Sequence, residues 1–254
     1  MTSPQDTLLA IRNSYHFFRD VCAKPRPDDI FEFQPWDMAG AHGVYAKTAF
    51  LVYKEATNIP QEKHISWVGL ILQWTTSVKH HHHFEETVFF PMLGDKFNFE
   101  QIQTEHDLFV PGLQKLEDYL VSCLPSGSTY GIDGLVVPEH ENTAEYDGQH
   151  VRELMNSFVV PMLSHLQAEI DYISSKNLRE ADVTVKHLED LAKVLQKYIM
   201  SSPKTTAMVF HILMRPDNTS WPAAPGFLKD VLVPYVFAIP KRDLWQFIPK
   251  KLDI

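Results

Sequence analysis

The sequence predicts an all-α protein built around an up-down-up-down four-helix bundle. Between residues 36 and 176, apolar residues recur at steps of three and four, which places them on one face of a helix, and strict alternation is almost absent. Glycine is scarce, with 10 in 254 residues. Polar, glycine and proline breaks divide this region into four long segments, the number that an antiparallel bundle of four helices needs.

Shorter segments on either side of this region predict two extensions. One helix is expected over 7–22, where the following KPRPDD sequence ends it. The last part of the chain predicts two or three helices and then proline-rich coil. We therefore expect an N-terminal extension (1–35), the bundle (36–176) and a helical, proline-rich C-terminal extension (177–254). Within the bundle, residues 123–147 are too long for a simple connection and predict an irregular crossing loop.

Composition narrows the possible functions. Acidic residues outnumber basic ones by 32 to 23, and the formal charge of -9 argues against nucleic acid or an anionic membrane as the main partner. The two cysteines, Cys22 and Cys123, cannot form a disulfide framework. The first residues lack the order of a signal peptide, and no run of 18 apolar residues occurs. We expect a cytoplasmic protein, and the sequence does not indicate its oligomeric state.

Each of the four apolar stripes contains one histidine, and two stripes contain a glutamate one turn later. A buried carboxylate is costly unless a compensating charge lies nearby. The positions of these residues along their helices place all of them in one layer near the same end of the bundle, which core packing does not require. A metal supplies the missing charge. The sequence therefore predicts a metal centre formed by His42, His81, Glu85, His106, His165 and Glu169.

The spacing His-x-x-x-Glu brings both side chains to one face of a helix. It occurs at His81/Glu85, His82/Glu86 and His165/Glu169. His82 and Glu86 fall in line with Lys79 on the flank of their helix, so we expect them outside the ligand set. Replacing either should cost less metal than replacing His81 or Glu85. His80 and His83 are expected in solvent or just outside the ligands.

The donor types limit the metal. Imidazole and carboxylate without thiolate favour iron, manganese or zinc. Two carboxylates from opposing helices, each able to bridge, indicate two ions. The Glu-x-x-His motif of ferritin-like di-iron bundles is absent, and so are HExxH, GxGxxG, the P-loop and GxSxG.

Taken together, these motifs resemble the hemerythrin-like (HHE cation-binding) family, and most closely its fungal variety. The resemblance is carried by His42, HHHHFEETVFFPML, EHDLF and SHLQAEIDYI, with a weaker likeness at DLWQFIP. It implies a non-haem di-iron centre bound by the four stripe histidines and bridged by Glu85 and Glu169, with manganese or zinc as alternatives. Oxygen-carrying hemerythrins have a further histidine on the third helix, where this chain offers Ile102 or Val110. Four imidazoles would leave a coordination position open.

Three functions are consistent with such a centre. The first is an enzyme whose two irons activate O₂ to oxidise or oxygenate a small organic substrate, such as a tailoring step in secondary-metabolite biosynthesis. The second is a carrier or sensor of O₂, NO or iron, and the third is an interaction module with a structural metal. An open position favours the first two, since structural sites are usually saturated. Extensions that emerge beside the metals can build a substrate pocket and a lid, which favours the enzyme.

Few other residues are candidates for a part in the chemistry. Tyr45, Tyr53 and Glu86 are the candidates for an acid or a base, and His211 could enter the site from the C-terminal extension. Pro111 and Pro161 are expected to kink the third and fourth helices beside the metal.

Overall fold

The computed structural model describes residues 3–141, 143–201, 205–249, 252 and 254, and almost all of its regular structure is helical. This confirms the all-α prediction. Helix α1 spans Pro4–Cys22 and begins at the capping side chain of Ser3. It packs along α2, which spans Ile30–Glu55, and also contacts the later helix Val159–Tyr172. No helix in the described ranges has both the length and the apolar character that crossing a bilayer demands.

The helix that contains His42 starts earlier than the sequence predicts. The Asp29 carboxylate accepts a hydrogen bond from the Phe31 amide and caps the helix there, upstream of Pro35. The predicted boundary between extension and bundle at residue 36 therefore falls inside α2. A helix that begins near residue 36 would place His42 early in it, whereas His42 lies near the middle of α2, so that expectation is wrong.

The second segment forms one nearly continuous helical run. A 3₁₀ turn over Gln61–Lys63 leads into α3, His64–Phe84, which continues through a π-helical turn, Glu85–Phe89, into the short α4, Phe90–Met92. The π-helical turn begins directly at the first predicted glutamate ligand. Such widened turns inside helices occur frequently at functional sites.

The third and fourth predicted helices are each broken in two rather than kinked. The third consists of α5, Glu100–His106, and α6, Val110–Ser122; the fourth consists of α7, Gly148–Asn156, and α8, Val159–Tyr172. Pro111 stands in the first turn of α6, and Pro161 is the third residue of α8; at both positions a backbone N–H would have no intrahelical acceptor in any case. The first turn of α6 packs on the break between α7 and α8, because Gly112 has no Cβ and leaves room for Phe158.

The remaining elements are short. The connection predicted to be irregular contains a two-stranded antiparallel hairpin, β1 (Thr129–Tyr130) and β2 (Leu135–Val136). The C-terminal part contains α9, Ser175–Glu180; α10, Val185–Ser201; α11, Thr205–Leu213; a π-helical segment, Leu228–Phe237; a 3₁₀ turn, Ile239–Lys241; and α12, Arg242–Trp245.

Contacts between helices bring the predicted ligands together. α2 packs on α8, α5 packs on α8, and α3 packs on α2 and α6. The C-terminal part follows the same core, since α11 and α12 both contact α3. The elements that contain the predicted ligands therefore meet around a common interior.

Candidate metal centre

All six predicted ligands meet in the interior, and one histidine that the sequence analysis set aside joins them. Their donor atoms form two groups, in each of which the atoms lie within 4.8 Å of one another. The first group consists of His42, His81, Glu85 and Glu169, and the second of His82, His106 and His165. We call them the carboxylate group and the imidazole group. Most of these side chains are inaccessible to solvent; His81 is the exception, with 15% of its side chain exposed.

Two histidines are oriented by backbone carbonyl groups. Nδ1 of His42 donates to the Leu166 carbonyl at 2.9 Å, and Nδ1 of His82 donates to the Val78 carbonyl at 2.8 Å. In each ring the proton is thereby placed on Nδ1, and Nε2 is left with its lone pair facing the centre. This arrangement, in which the outer nitrogen of the ring is hydrogen bonded, is the usual one for a metal-binding histidine.

Two further histidines are oriented by carboxylates. Nδ1 of His106 donates to Glu86, and Nδ1 of His165 donates to Glu105 at 3.0 Å. Tyr172 donates its hydroxyl to the same glutamate, which fixes the carboxylate in place. Both rings therefore carry their lone pair on Nε2.

These two lone pairs face each other. Nε2 of His106 lies 3.0 Å from Nε2 of His165. Burial lowers the pKa of both rings, that of His165 to about 4, so neither is protonated at neutral pH. Two nitrogen donors bonded to one ion at about 2.1 Å and at right angles would be roughly 3.0 Å apart. The geometry is unfavourable for two neutral rings alone and suits two ligands of one cation.

The glutamates are equally unsatisfied. None of the four oxygens of Glu85 and Glu169 accepts a hydrogen bond from the described part of the chain. Burial, and next the charge of a neighbouring glutamate, raise the pKa of both carboxyls well above the usual range. An unpaired buried carboxylate is costly, and a bound cation removes that cost.

Glu169 connects the two groups. Its Oε2 lies 3.4 Å from Nε2 of His42 in the carboxylate group and 3.8 Å from Nε2 of His165 in the imidazole group. Oε1 of Glu85 lies 2.9 Å from Nε2 of His81, within the carboxylate group. One carboxylate thus faces both groups, as a bridge between two adjacent ions would.

The prediction that His82 lies on the flank of its helix is wrong. His82 is 4% exposed, and its ring packs against those of His106, His165 and Phe109. Helix α3 therefore presents two adjacent faces to the centre. The HHxxEE sequence contained the signal: the His-x-x-x-Glu pair occurs there twice, shifted by one residue, so each copy can serve one of two adjacent faces.

His82 also changes the number of imidazoles. Five histidines now face the centre, so the expectation of four imidazoles is wrong, and a missing imidazole is no longer the reason to expect an open coordination position. The fifth ring does not come from the third helix, where Ile102 is buried in the core and Val110 is exposed.

The other candidate residues lie outside the two groups. His80 lies 3.9 Å from Asp133, and His83 is exposed. Tyr53 donates its hydroxyl to Asn156. His211 approaches the site without joining a group, since its Nε2 lies 3.4 Å from the Tyr45 hydroxyl.

Parts of both extensions cover helix α2 around His42. The Phe18 ring of α1 lies edge-on to His42, with ring centroids 5.5 Å apart. From the C-terminal part, Pro216 packs on Gly43, and Trp221 lies against Gly40 so closely that a Cβ there would be 2.3 Å from the indole. These contacts exclude water from this side of the centre.

Comparison with family models, curated proteins and solved structures finds no match to this chain. What the centre can bind follows from its donor atoms. Imidazole nitrogens and carboxylate oxygens without thiolate form a donor set that iron, manganese and zinc accept.

Proposed function

We propose that the protein is a hemerythrin-like, non-haem di-iron protein that uses O₂ to oxidise or oxygenate a small organic substrate. The observation that carries the proposal is the 3.0 Å approach of two lone pairs, on Nε2 of His106 and of His165, in a buried site. In this proposal α2, α3 with α4, α5 with α6, and α7 with α8 are the four helices of an up-down-up-down bundle. The contacts between these helices support it.

Two ions, rather than one, are supported by the position of Glu169 between the groups. The number of nearby carboxylates also supports two ions. Two divalent cations would be balanced by four carboxylates, and four lie in or directly behind the groups: Glu85, Glu169, Glu86 and Glu105. A single ion would leave a surplus of negative charge in a site that is largely closed to water.

Iron, when bound, would supply the ability to react with O₂. The chain supplies the rest: the outer hydrogen bonds fix the imidazoles, and aromatic rings such as Phe18 and Phe109 exclude water. The donor groups offer fewer donor atoms than two octahedral ions need, so positions remain for O₂ or water. The segments packed over α2 support turnover, because a carrier needs only the bundle.

A carrier or sensor of O₂ is the second candidate, and the fifth imidazole favours it. The sequence predicted one imidazole fewer than oxygen-carrying hemerythrins have, and His82 brings the number of imidazoles to five. The two candidates differ in whether bound O₂ leaves unchanged.

Reaction of the iron-loaded protein with O₂ tests both. The full-length chain is loaded with Fe(II) without oxygen, freed of excess iron, analysed for metal and followed by visible spectroscopy as O₂ is added and removed. We expect two irons per chain and, for an enzyme, irreversible O₂ consumption that accelerates when the substrate is present in an extract. Return of the original spectrum under argon over many cycles would favour the carrier.

Matched variants show whether the named site is responsible. His165→Ala should lose iron, whereas His150→Ala, a half-exposed position on α7 outside both groups, should keep it. Equal iron in both variants would contradict the proposed site.

A further inference from the structure

A buried tyrosine lies beside the carboxylate group and takes no part in the ligand set. Tyr45 is one turn after His42 on α2 and is 1% exposed. Its ring lies edge-on to His81, with centroids 5.3 Å apart. An aromatic side chain in contact with a ligand ring is well placed to exchange an electron with a metal that the ligand holds.

The hydroxyl of Tyr45 faces a base from the C-terminal part of the chain. His211, on α11, donates from Nδ1 to the Ala207 carbonyl at 2.8 Å, so its Nε2 carries the lone pair. That nitrogen and the Ser77 carbonyl each lie 3.4 Å from the Tyr45 hydroxyl, so the phenol has two acceptors, of which only the imidazole is a base; the Ser77 hydroxyl lies 3.5 Å from the Tyr45 hydroxyl and from Nε2 of His211. Burial lowers the pKa of His211 to about 4, which keeps the imidazole neutral and able to accept a proton.

A phenol that loses an electron becomes a strong acid, so its oxidation is easy only where a base can take the proton at once. Tyr53, two turns further along α2, shows the contrast. It is also buried, but its hydroxyl donates to the amide oxygen of Asn156, which is not a base. Of these two tyrosines on one helix, only Tyr45 has both a ligand ring and an imidazole beside it.

We propose that Tyr45 is a redox-active residue that gives one electron to the metal centre and its phenolic proton to Nε2 of His211. This inference rests on the proposed di-iron function, with O₂ as the oxidant that first removes electrons from the metals. The O–H bond of Tyr45 breaks, an N–H bond forms on His211, and one electron passes from the phenol to the oxidised metal pair. The products are a neutral tyrosyl radical and an imidazolium, and reduction of the radical returns the proton.

This assignment gives the C-terminal part of the chain a chemical role. His211 is a positioned base outside the ligand groups, so changing it should affect oxidation of Tyr45 and leave metal binding intact. If His211 had a purely structural role, its replacement would not slow the formation of the radical.

Electron paramagnetic resonance tests the proposal. The full-length protein is loaded with Fe(II), analysed for iron, mixed with O₂ and frozen at increasing times. We expect the spectrum of a tyrosyl radical, which narrows when the protein contains ring-deuterated tyrosine. The radical should be absent in Tyr45→Phe and present in Tyr53→Phe. In His211→Gln it should form about 100-fold more slowly, the loss expected when a positioned base is removed, with iron content unchanged.

The outcomes separate this inference from the function on which it rests. Two irons and O₂ consumption without a tyrosyl radical would overturn the role of Tyr45 alone, as would a radical that persists in Tyr45→Phe. A chain that binds no iron would overturn both. The deuterium effect identifies the radical in the unaltered protein, so the test does not depend on Tyr45→Phe folding.

Discussion

The carboxylate group and the imidazole group hold their negative charge in different places. In the carboxylate group Glu85 and Glu169 point directly at the imidazoles and are 1% and 0% exposed. In the imidazole group the carboxylates stand behind the rings: Glu86 binds His106 and is 35% exposed, and Glu105 binds His165 and is 22% exposed. Both groups thus have carboxylates that can balance the charge of a bound cation, but these lie among the donor atoms in the carboxylate group and behind the rings in the imidazole group.

This difference bears on what each group does without metal. Partial burial opposes ionisation of Glu105, but hydrogen bonds from His165 and Tyr172 outweigh it and lower its pKa. That carboxylate stays ionised and keeps its imidazole oriented before an ion arrives. The buried carboxyls of the other group have raised pKa values and must lose protons when metal binds. The imidazole group is preorganised, whereas the carboxylate group is completed by the cation.

The largest effect is expected where the groups meet. Glu169→Gln removes the one charge that faces both groups and keeps the side-chain volume. We expect iron to fall from two per chain to below one, measured by elemental analysis after gel filtration. Glu153→Gln, an exposed position on α7, is the matched control and should keep both irons. Two irons in Glu169→Gln would show that the carboxylate is not a bridge.

Removing a ligand from the imidazole group alone should show whether each group binds its own iron. His82→Ala leaves two of its three imidazoles and does not touch the carboxylate group. We expect iron to fall from two towards one per chain, with the same measurement. His83→Ala, the adjacent exposed histidine, should lose none. If both variants retain two irons, His82 is not a ligand in spite of its burial.

His82 also shows which part of the site could not be predicted from the sequence. The stripe of steps three and four places His81 and Glu85 on one buried face, because a helix at a bundle surface has a single such face. Helix α3 is buried on almost all sides between residues 67 and 78. A one-stripe pattern cannot reveal that a second face of the same helix, with His82, is also buried.

The ends of the helices and the contacts between distant residues could not be predicted from the sequence either. Helix α2 begins at residue 30, where Asp29 caps it, although Pro35 follows within its second turn and suggests a later start. The contact of Trp221 with Gly40 and that of His211 with Tyr45 join residues more than 160 positions apart. No local periodicity encodes such pairs. All six predicted ligands, by contrast, come together in the structure: helical spacing places each of them on the buried face of its own helix, and the packing of the helices joins these faces.

The outer carboxylates allow a finer test of the comparison. Glu105→Gln should leave the ligands in place and weaken the orientation of His165. Loss of such an outer partner reduces metal affinity by about 10- to 100-fold. We expect that loss for one of the two irons only, measured by competition with a chelator. Glu100→Gln, exposed on the same helix α5, is the control. Equal weakening of both irons would contradict the separation of the two groups.

The smallest expected effect is that of Glu85→Gln on the free energy of unfolding, which should change in opposite directions in the metal-free and the iron-loaded protein. A carboxyl whose pKa is raised in the folded state contributes stability that is complete below its unfolded pKa, near 4.5, and is lost as pH rises through the folded pKa. The buried histidines act oppositely. The pKa of His81 is lowered to about 4, so its contribution is present above its unfolded value of 6.5 and is lost as pH falls towards 4.

In the metal-free protein the glutamates therefore limit stability on the alkaline side and the histidines on the acid side. Glutamine cannot ionise, so Glu85→Gln leaves a buried polar group but removes an uncompensated buried charge, and it should raise the free energy of unfolding of the metal-free protein at pH 8 by about 1–3 kcal/mol. In the iron-loaded protein the same change removes a ligand and should lower it. Urea unfolding of both forms at pH 5 and pH 8 measures the two signs, with Glu100→Gln, an exposed position on α5, as the control. A metal-free Glu85→Gln protein less stable than the parent at pH 8 would mean that this carboxylate is held by the chain itself and does not await a cation.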